Sequence, residues 1–263
     1  MSAGPVPVVT LLTDFGTEDY YVGAVKGTLL RLAGTRLQLV DLSHEVPAGD
    51  VVTGAFVLGA AWQTFPEGTV HLAVVDPGVG SGRRILAARR DGHCFVAPDN
   101  GLLHAIMDDA EVVHVRRDDL FLPAPGATFH GRDRFAPVAA SLARGDTFED
   151  LGDRIDDPIR LDRESPRREA DTLVGYVVHV DRFGNLVTDI PAEWLQRHHG
   201  VMVWVGTHST DRVVDHYAVL PPGKAGLLVG SLGTLELSLP GESLATTWSV
   251  TVGDRVEVRL DAR

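Results

Sequence analysis

Residues 70–84 read Val-His-Leu-Ala-Val-Val-Asp-Pro-Gly-Val-Gly-Ser-Gly-Arg-Arg, a mostly apolar run followed by a turn rich in glycine. The apolar run predicts a buried strand, which Pro77 ends because proline cannot extend a central ladder. The glycines permit positive φ, so the chain can turn sharply and leave space for a ligand against the backbone. The strand delivers Asp76 to this turn, and Arg83 stands at its far side. We therefore expect a small pocket edge that carries one acid and one cation. The structural alternative is a glycine-rich loop in which Asp76 and Arg83 are solvated.

The chain around this strand alternates between strand and helix patterns. Residues 8–12 and 37–42 are apolar runs typical of strands, and apolar positions recur at helical spacing between them, with Thr17 as the expected N-cap. A second helix is expected to begin at Asp50 and to end before Pro66. This alternation predicts an N-terminal α/β domain with a mainly parallel sheet, in which ligands bind beyond the carboxyl ends of the strands.

The pattern changes in the second half of the chain. Residues 153–171 are rich in charge and contain two prolines, which is typical of a linker on the surface. We expect an N-terminal domain at residues 1–160, a linker at 161–171 and a C-terminal domain at 172–263. Short strands separated by Gly and Pro turns predict that the C-terminal domain is a smaller, all-β, barrel-like domain. These strands are expected at residues 173–180, 185–190, 201–205, 217–220, 226–229, 235–239 and 255–260.

Composition narrows the possible functions. The 263 residues carry a formal net charge of −12, which argues against nucleic acid or an anionic membrane as the main partner because both need a basic face. No apolar run reaches the roughly 18 residues of a membrane span, and residues 1–5 lack a basic leader, so we expect a cytoplasmic protein. Cys94, the single cysteine, is expected in the core. The 11 histidines show no metal-ligand spacing, so no metal site is expected.

The α/β part offers candidate site residues, each with a structural alternative. Asp14 follows the first strand, where it could bind ribose hydroxyls or cap a helix. The glycine triplet of the turn could be mistaken for a dinucleotide fingerprint, but a strand that leads to an Asp91-Gly92 hairpin turn follows it, so no redox cofactor is expected. His130 lies just before an apolar helix, where a neutral imidazole could accept a proton from water. A lone histidine is more often structural, and His130 gains weight only together with Asp76 and Arg83.

The expected β domain contains a turn with unusual chemistry, Asp181-Arg182-Phe183-Gly184-Asn185. An ordinary β-turn would explain the glycine and the asparagine but not the aromatic residue. The same set could bind an amino-acid zwitterion by its ammonium group or sandwich a base. Tyr217 and Ser231 are candidates of the same kind.

Six ordered motifs resemble those of one known family. They are TDFG at 13–16, DLSHEVP at 41–47, VDPGVG at 75–80, APDNGLL at 97–103, TFHGRD at 128–133 and DRFGN at 181–185. Over nearly its whole length the chain resembles the S-adenosyl-L-methionine hydroxide adenosyltransferases, which are adenosine-forming hydrolases related to the fluorinase and the chlorinase. The resemblance implies an N-terminal α/β domain and a C-terminal β-barrel-like domain. It also implies a homotrimer, with each site between the N domain of one subunit and the C domain of the next.

The resemblance further implies roles for individual residues. Water is handled by Asp76, Arg83 and His130, and Asp14 binds the ribose. The remaining implied contacts are the methionine part at Asp181, Asn185 and Ser231, the adenine at Phe183, Tyr217 and the main chain of Ala245, and Gly131 where halogenating relatives have a serine. The chain departs from the family at residues 239–245, which lack the Arg and Asn common in relatives. It also departs at Leu232, where halogenating relatives can carry Arg.

The residue at position 76 favours water as the nucleophile. Halogenating relatives place an aromatic residue on this turn, whereas a buried carboxylate would repel a halide. We therefore expect hydrolysis of S-adenosyl-L-methionine to adenosine and L-methionine, with no cofactor besides the substrate. A 5′-halogenase such as a chlorinase is one alternative. A non-catalytic protein that binds adenosine or S-adenosyl-L-methionine is the other.

Overall fold

A computed structural model describes residues 6–195 and 200–260 of the chain. The chain divides between Leu161 and Asp162 into two compact units, named unit 1 and unit 2 in chain order. Unit 1 combines helices with a mixed sheet and unit 2 is mostly antiparallel β-structure, so the expected fold class is confirmed. In the described part of the chain, no helix has the length and apolar character needed to cross a membrane.

Unit 1 is built on a seven-stranded sheet in the order β2-β1-β3-β5-β4-β6-β7. Its strands β1 to β7 are Val8–Thr13, Gln38–Ser43, Val70–Val74, Ile85–Arg90, His93–Pro98, Glu111–Val115 and Gly152–Arg154. Strand β1 is parallel to β2 and β3, and β3 is parallel to β5. The other three pairings are antiparallel, and β4 and β5 form a hairpin. The turn of this hairpin is Asp91-Gly92, as predicted, and both residues have positive φ.

Three helices flank this sheet: α1 (Tyr21–Ala33), α2 (Val51–Ala61) and α3 (Ala136–Ala143). Asp50 caps α2 as predicted, because its carboxylate accepts a hydrogen bond from the Thr53 amide at 3.0 Å. The prediction that Thr17 caps α1 is wrong. Its hydroxyl instead donates to Glu45, and α1 begins after Tyr20, whose side chain makes no capping hydrogen bond.

The core of unit 1 lies on both faces of the sheet. All five residues of β3 are buried, as a strand covered on both faces requires. On one face, Leu29 of α1 and Val138 of α3 pack in the same cluster as the strands. On the other face, Leu58 of α2 packs with Phe95 of β5. This burial fixes the register of β3 and therefore the position of the turn that follows it.

Unit 2 is an eight-stranded antiparallel sheet. Its strands β8 to β15 are Arg167–Glu169, Thr172–Val180, Leu186–Pro191, Val201–Val205, His208–Thr210, Gly226–Val229, Thr234–Ser238 and Arg255–Leu260. The order is β12-β11-β15-β9-β10-β14-β13, with β8 on β9. The two ends approach each other, because Leu227 of β13 donates to the Arg212 carbonyl just after β12. This near closure gives the barrel-like form that the strand pattern predicts.

One local expectation in the second half of the chain is wrong, and two further elements were not predicted. Residues 217–220 do not form a strand, because Tyr217–Val219 is a single 3₁₀ turn followed by two prolines that have no amide hydrogen to donate. The chain also has a short helix α4, Leu244–Trp248, that the sequence pattern did not predict. The expected linker, residues 161–171, contains strand β8, which pairs with β9.

Candidate active site

Asp76 and Arg83 form a buried ion pair at the end of β3. The Arg83 Nε donates to Asp76 Oδ1 at 2.7 Å, and Nη2 of the same guanidinium donates to Oδ2. The two side chains are 5% and 8% exposed for Asp76 and Arg83 respectively. A two-pronged contact between a planar guanidinium and a carboxylate fixes the orientation of both groups. The predicted pocket edge with one acid and one cation is therefore present, with the acid and the cation joined.

The turn that carries this pair is tied down at several points. The side-chain amide of Asn100 donates to the Val75 carbonyl at 2.9 Å, which fixes the end of the strand. Of the three glycines expected to use positive φ, only Gly80 does so, at 83°. A Cβ at Gly80 would also lie 3.1 Å from the carbonyl oxygen of Ala127, so glycine is required there for two reasons.

His130 joins the pair through Arg83. The Arg83 Nη2 lies 2.9 Å from His130 Nδ1. A guanidinium has only donors, so Nδ1 must accept, and a neutral His130 carries its proton on Nε2. Burial lowers the pKa of His130, and the positive charges of Arg134 and Arg83 lower this pKa further. The ring therefore offers an N–H donor, which differs from the proton acceptor that the sequence suggested.

Two buried nitrogens of this network have no hydrogen-bond partner among the described residues. They are Nη1 of Arg83 and Nε2 of His130. A buried N–H group without a partner is costly, and such groups occur where a ligand or water molecule is to be held. Both are donors, so they suit an oxygen atom that carries negative charge.

His130 stands at the start of a π-helical turn, Gly131–Phe135, that runs directly into α3. Such turns are rare and occur frequently at functional sites. A Cβ at Gly131 would lie 3.0 Å from Cζ of Phe15, so the aromatic ring occupies the space of any side chain there. Glycine at this position therefore lets the turn that holds His130 pack against the TDFG segment.

Asp14 and Asp76 lie at the same edge of the sheet. Their strands are parallel neighbours, with Thr13 in register with Val74. The Asp14 carboxylate is held by the Gly49 amide at 2.8 Å and does not cap a helix. Both aspartates line a cavity of about 610 Å³ in unit 1. Its other walls include Phe15, Tyr20, Tyr21, Phe129, His130, Gly131 and Arg132.

Four aromatic rings of this cavity were not identified from the sequence. The ring centroids of Tyr20 and Tyr21 are 4.6 Å apart, and Tyr21 meets Phe129 edge to face at 5.1 Å. Phe15 packs on Phe129 at 5.9 Å. The adjacent tyrosines at the start of α1 could have been noticed in the sequence. The helical spacing of apolar residues gives no reason to select these two positions as site residues.

The turn at residues 181–185 forms a second polar site, in unit 2. Oδ1 of Asp181 accepts from the amides of Phe183 and Asn185, each at 2.9 Å, and Oδ2 accepts from the Asn185 side chain at 2.8 Å. Gly184 has φ of 83°, and a Cβ there would overlap Ser243. The Phe183 side chain is left 76% exposed. The carboxylate therefore organises the turn and presents the aromatic ring outward.

Tyr217 is held beside this turn by a buried acid. Its hydroxyl donates to Glu236 Oε1 at 2.5 Å. Burial and this hydrogen bond raise the pKa of Tyr217 to about 12, and burial raises the pKa of Glu236. Tyr217, Asp181, Phe183 and Asn185 line a cavity of about 570 Å³ together with residues 238–243.

Ser231 and Ala245 do not line either of these two cavities. Ser231 is exposed in the turn between β13 and β14. The Ala245 amide donates to the Gly184 carbonyl at 3.0 Å, and its carbonyl accepts from Ser249 and Val250. The main chain of Ala245 therefore has no free donor for an adenine. Within residues 6–195 and 200–260, no three His, Cys, Asp or Glu side chains are grouped to hold a metal ion.

These features define a two-domain protein, with an α/β unit that carries an acid–arginine–histidine set and a barrel-like unit that carries an aromatic turn. The chain belongs to the SAM hydroxide adenosyltransferase family. The family's N-terminal domain matches residues 9–152, and its C-terminal domain matches residues 175–257.

The names of similar proteins are consistent with this family. The chain is 37% identical to an (R)-S-adenosyl-L-methionine hydrolase of Salinispora tropica, over 97% of this chain and 98% of that protein. It is 39% identical to the Thermus thermophilus protein of the same name, over 88% and 91%. A fluorinase of Nocardia brasiliensis is 28% identical over 98% of both chains. A solved structure of a conserved Thermotoga maritima protein superposes with a TM-score of 0.89 at 34% identity, over 95% of this chain and 99% of that one.

Proposed function

We propose that this chain hydrolyses S-adenosyl-L-methionine to adenosine and L-methionine. The observation that carries the proposal is the buried network in which one guanidinium, that of Arg83, holds both Asp76 and His130 beside the unit 1 cavity. The hydrolase relatives are more similar to the chain than the fluorinase is, which supports the same reaction.

In the proposed reaction, a water oxygen attacks C5′ in line with the sulfonium. The O–C5′ bond forms while the C5′–S bond breaks, and the bonding electron pair moves to sulfur, which leaves as the neutral thioether of methionine. Asp76 accepts the hydrogen bond and then the proton of the water, because each of its oxygens keeps a lone pair beside the Arg83 contact. As Asp76 takes the proton, His130 Nε2 and Arg83 Nη1 donate to the oxygen, which is then hydroxide-like and keeps a third lone pair for the bond to C5′. The leaving group is already good, so the proposal needs positioning but no Lewis acid.

We propose that the remaining substrate contacts follow the family resemblance. Asp14 binds the ribose, and Phe183 and Tyr217 contact the adenine. Asp181 and Asn185 bind the methionine part, since Oδ2 of Asp181 accepts one internal hydrogen bond and can accept an ammonium. Ser231 belongs to this set by resemblance alone. The adenine contact of the Ala245 main chain also belongs to this set by resemblance, although its amide donates to the Gly184 carbonyl.

The decisive experiment is a reaction with S-adenosyl-L-methionine in ¹⁸O-labelled water that contains chloride. We expect adenosine with one labelled oxygen at the 5′ position, together with free L-methionine. Formation of 5′-chloro-5′-deoxyadenosine would instead show a halogenase, and retention of ligand without turnover would show a binding protein.

Two variants test the assignment of the network. Asp76→Ala and His130→Ala should abolish adenosine formation and leave substrate binding largely intact. Asp109→Asn, an exposed aspartate of the same unit, is the matched control and should retain wild-type turnover. Wild-type turnover in either Ala variant would refute the assigned roles.

We also propose a homotrimer in which unit 1 of one subunit and unit 2 of another form each site, as the resemblance implies. The test mixes Asp76→Ala and Phe183→Ala subunits, each expected to be inactive alone. If sites form between subunits of a ring, random mixing restores about a quarter of them. No recovery after demonstrated subunit exchange would place the whole site within one chain.

A further inference from the structure

The formal charges in the unit 1 cavity are largely paired within the protein. Asp76 is neutralised by Arg83. Arg132, on another wall, makes a two-pronged contact to Asp133 at 2.6 and 3.0 Å. Burial, Arg134 and Arg83 lower the pKa of His130, which favours its neutral form. Asp14 also lines the cavity, where its carboxylate accepts from the Gly49 amide and, in the proposed contacts, binds the ribose. The substrate of the proposed reaction nevertheless brings a positive sulfonium to this cavity, so we look for a partner for its charge other than the ion pairs and the ribose carboxylate.

The aromatic wall supplies electron-rich surface at the same cavity. Tyr20 is 65% exposed and Tyr21 is 37% exposed, although they line a cavity with Asp76 and His130. The faces of such rings attract cations. One ring of the wall already has such a contact, because the Arg132 guanidinium lies 4.8 Å from the centroid of Phe129.

The position of Tyr20 argues against a purely structural role. It occupies the residue before α1, where Ser, Thr, Asp and Asn are preferred because their side chains accept from the first free amides. Tyr20 makes no such contact and exposes most of its ring. A residue that breaks the local rule for helix starts and lines a cavity is typical of a binding site.

We propose that Tyr20 and Tyr21 recognise the positively charged sulfonium of the substrate through the faces of their rings. The inference rests on the proposed function and deepens it by assigning the determinant of charge selectivity. The tyrosines distinguish the sulfonium substrate from S-adenosyl-L-homocysteine, the neutral thioether that lacks the S-methyl group.

The chemistry of the reaction gives this role a kinetic signature. The sulfonium loses its positive charge as the C5′–S bond breaks, so attraction to the rings is stronger in the bound substrate than in the transition state. Such an interaction lowers KM without raising kcat. It is also absent from the neutral methionine product, which favours product release.

The test compares two ligands by isothermal titration calorimetry on Tyr20→Leu, Tyr21→Leu and the matched Phe variants. Binding uses the His130→Ala background, which keeps Asp76 paired with Arg83, so that substrate is not consumed. Each Leu variant should weaken S-adenosyl-L-methionine binding by about three- to tenfold and leave S-adenosyl-L-homocysteine binding within about twofold. The Phe variants should keep the preference for the cation, because a phenyl face also attracts it.

Kinetics of the same Tyr variants with His130 restored provide the second readout. We expect a raised KM with kcat unchanged or higher. If a Leu variant folds poorly, pentafluorophenylalanine at position 20 keeps the ring shape, reverses its electrostatics and should lose the same selectivity. Equal weakening of both ligands, or a fall in kcat at constant KM, would overturn the inference. A wild-type protein that prefers the sulfonium but releases no adenosine would refute the proposed function and leave the recognition intact.

Discussion

The stability of unit 1 should fall in mild acid because of a histidine buried in the centre of its sheet. His71 of β3 is 0% exposed and lies between β1 and β5. Its Nδ1 lies 2.8 Å from the Thr10 hydroxyl, its Nε2 lies 3.1 Å from Nδ1 of His93, and its ring stacks on Phe95 at 4.8 Å. Burial, and then the charge of His93, lower the pKa of His71 from 6.5 to about 3.

The sign and size of the effect follow from this difference in pKa. The unfolded chain binds a proton at His71 below pH 6.5, whereas the folded chain does not until about pH 3. Stability is therefore fully present above pH 6.5 and is lost as the pH falls towards 3. At pH 5 the expected loss from this group is about 2 kcal/mol, and its limit near pH 3 is about 5 kcal/mol.

Urea unfolding at pH 8 and pH 5 measures this loss. Trp62 reports on unit 1 by fluorescence, since its ring contacts His93 edge to face at 5.2 Å. The matched variant His71→Gln keeps a hydrogen-bonding side chain but cannot titrate. We expect wild type to lose about 2 kcal/mol more than the variant between the two pH values. Equal losses in the two proteins would show that His71 is protonated at no cost and would refute the reasoning.

Three further substitutions have expected outcomes. Arg83→Lys keeps the charge but loses the two-pronged contact with Asp76. The free energy of unfolding, measured by denaturation, should fall by about 2–4 kcal/mol, and kcat for adenosine release should fall at least tenfold. Gly131→Ala places a Cβ 3.0 Å from Phe15 and should lower stability by about 1 kcal/mol despite better helix propensity, and a raised melting temperature would contradict this. Gly184→Ala combines positive φ with an overlap and should cost about 3 kcal/mol or more, whereas Gly206→Ala, with positive φ and no neighbour within 4 Å, should cost about 1 kcal/mol.

Much of the fold could be predicted from the sequence because the buried strands are apolar runs separated by turn residues. The predicted strands 201–205, 226–229 and 255–260 match the observed bounds, and the Asp91-Gly92 hairpin was identified from its turn residues. The strand predicted at 217–220 was wrong because its apolar residues were considered without the two prolines that follow them. Short apolar runs do not by themselves distinguish a strand from a turn.

The active-site network shows a different limit. Asp76 and Arg83 were identifiable as a pair because they flank one turn. The contact of Arg83 with His130 spans 47 residues and depends on the π-helical turn that orients the imidazole. The sequence suggested that His130 accepts a proton, whereas the contact with Arg83 makes it a donor. Because Nδ1 accepts from Arg83, the proton of the neutral ring is on Nε2. Spacing in a sequence contains no information on such a tautomer.

The same guanidinium explains how one cavity can handle a neutral nucleophile and a cationic leaving group. Arg83 compensates the charge of Asp76 and leaves its spare lone pairs available, so the carboxylate can orient water without dominating the electrostatics of the cavity. An uncompensated carboxylate would attract the sulfonium strongly and stabilise the bound substrate more than the transition state, in which that charge disappears. The weaker attraction of the tyrosine rings holds the cation at a smaller penalty to the reaction. The ion pair on the glycine turn therefore orients the water, and the exposed tyrosines at the start of α1 hold the cationic sulfonium.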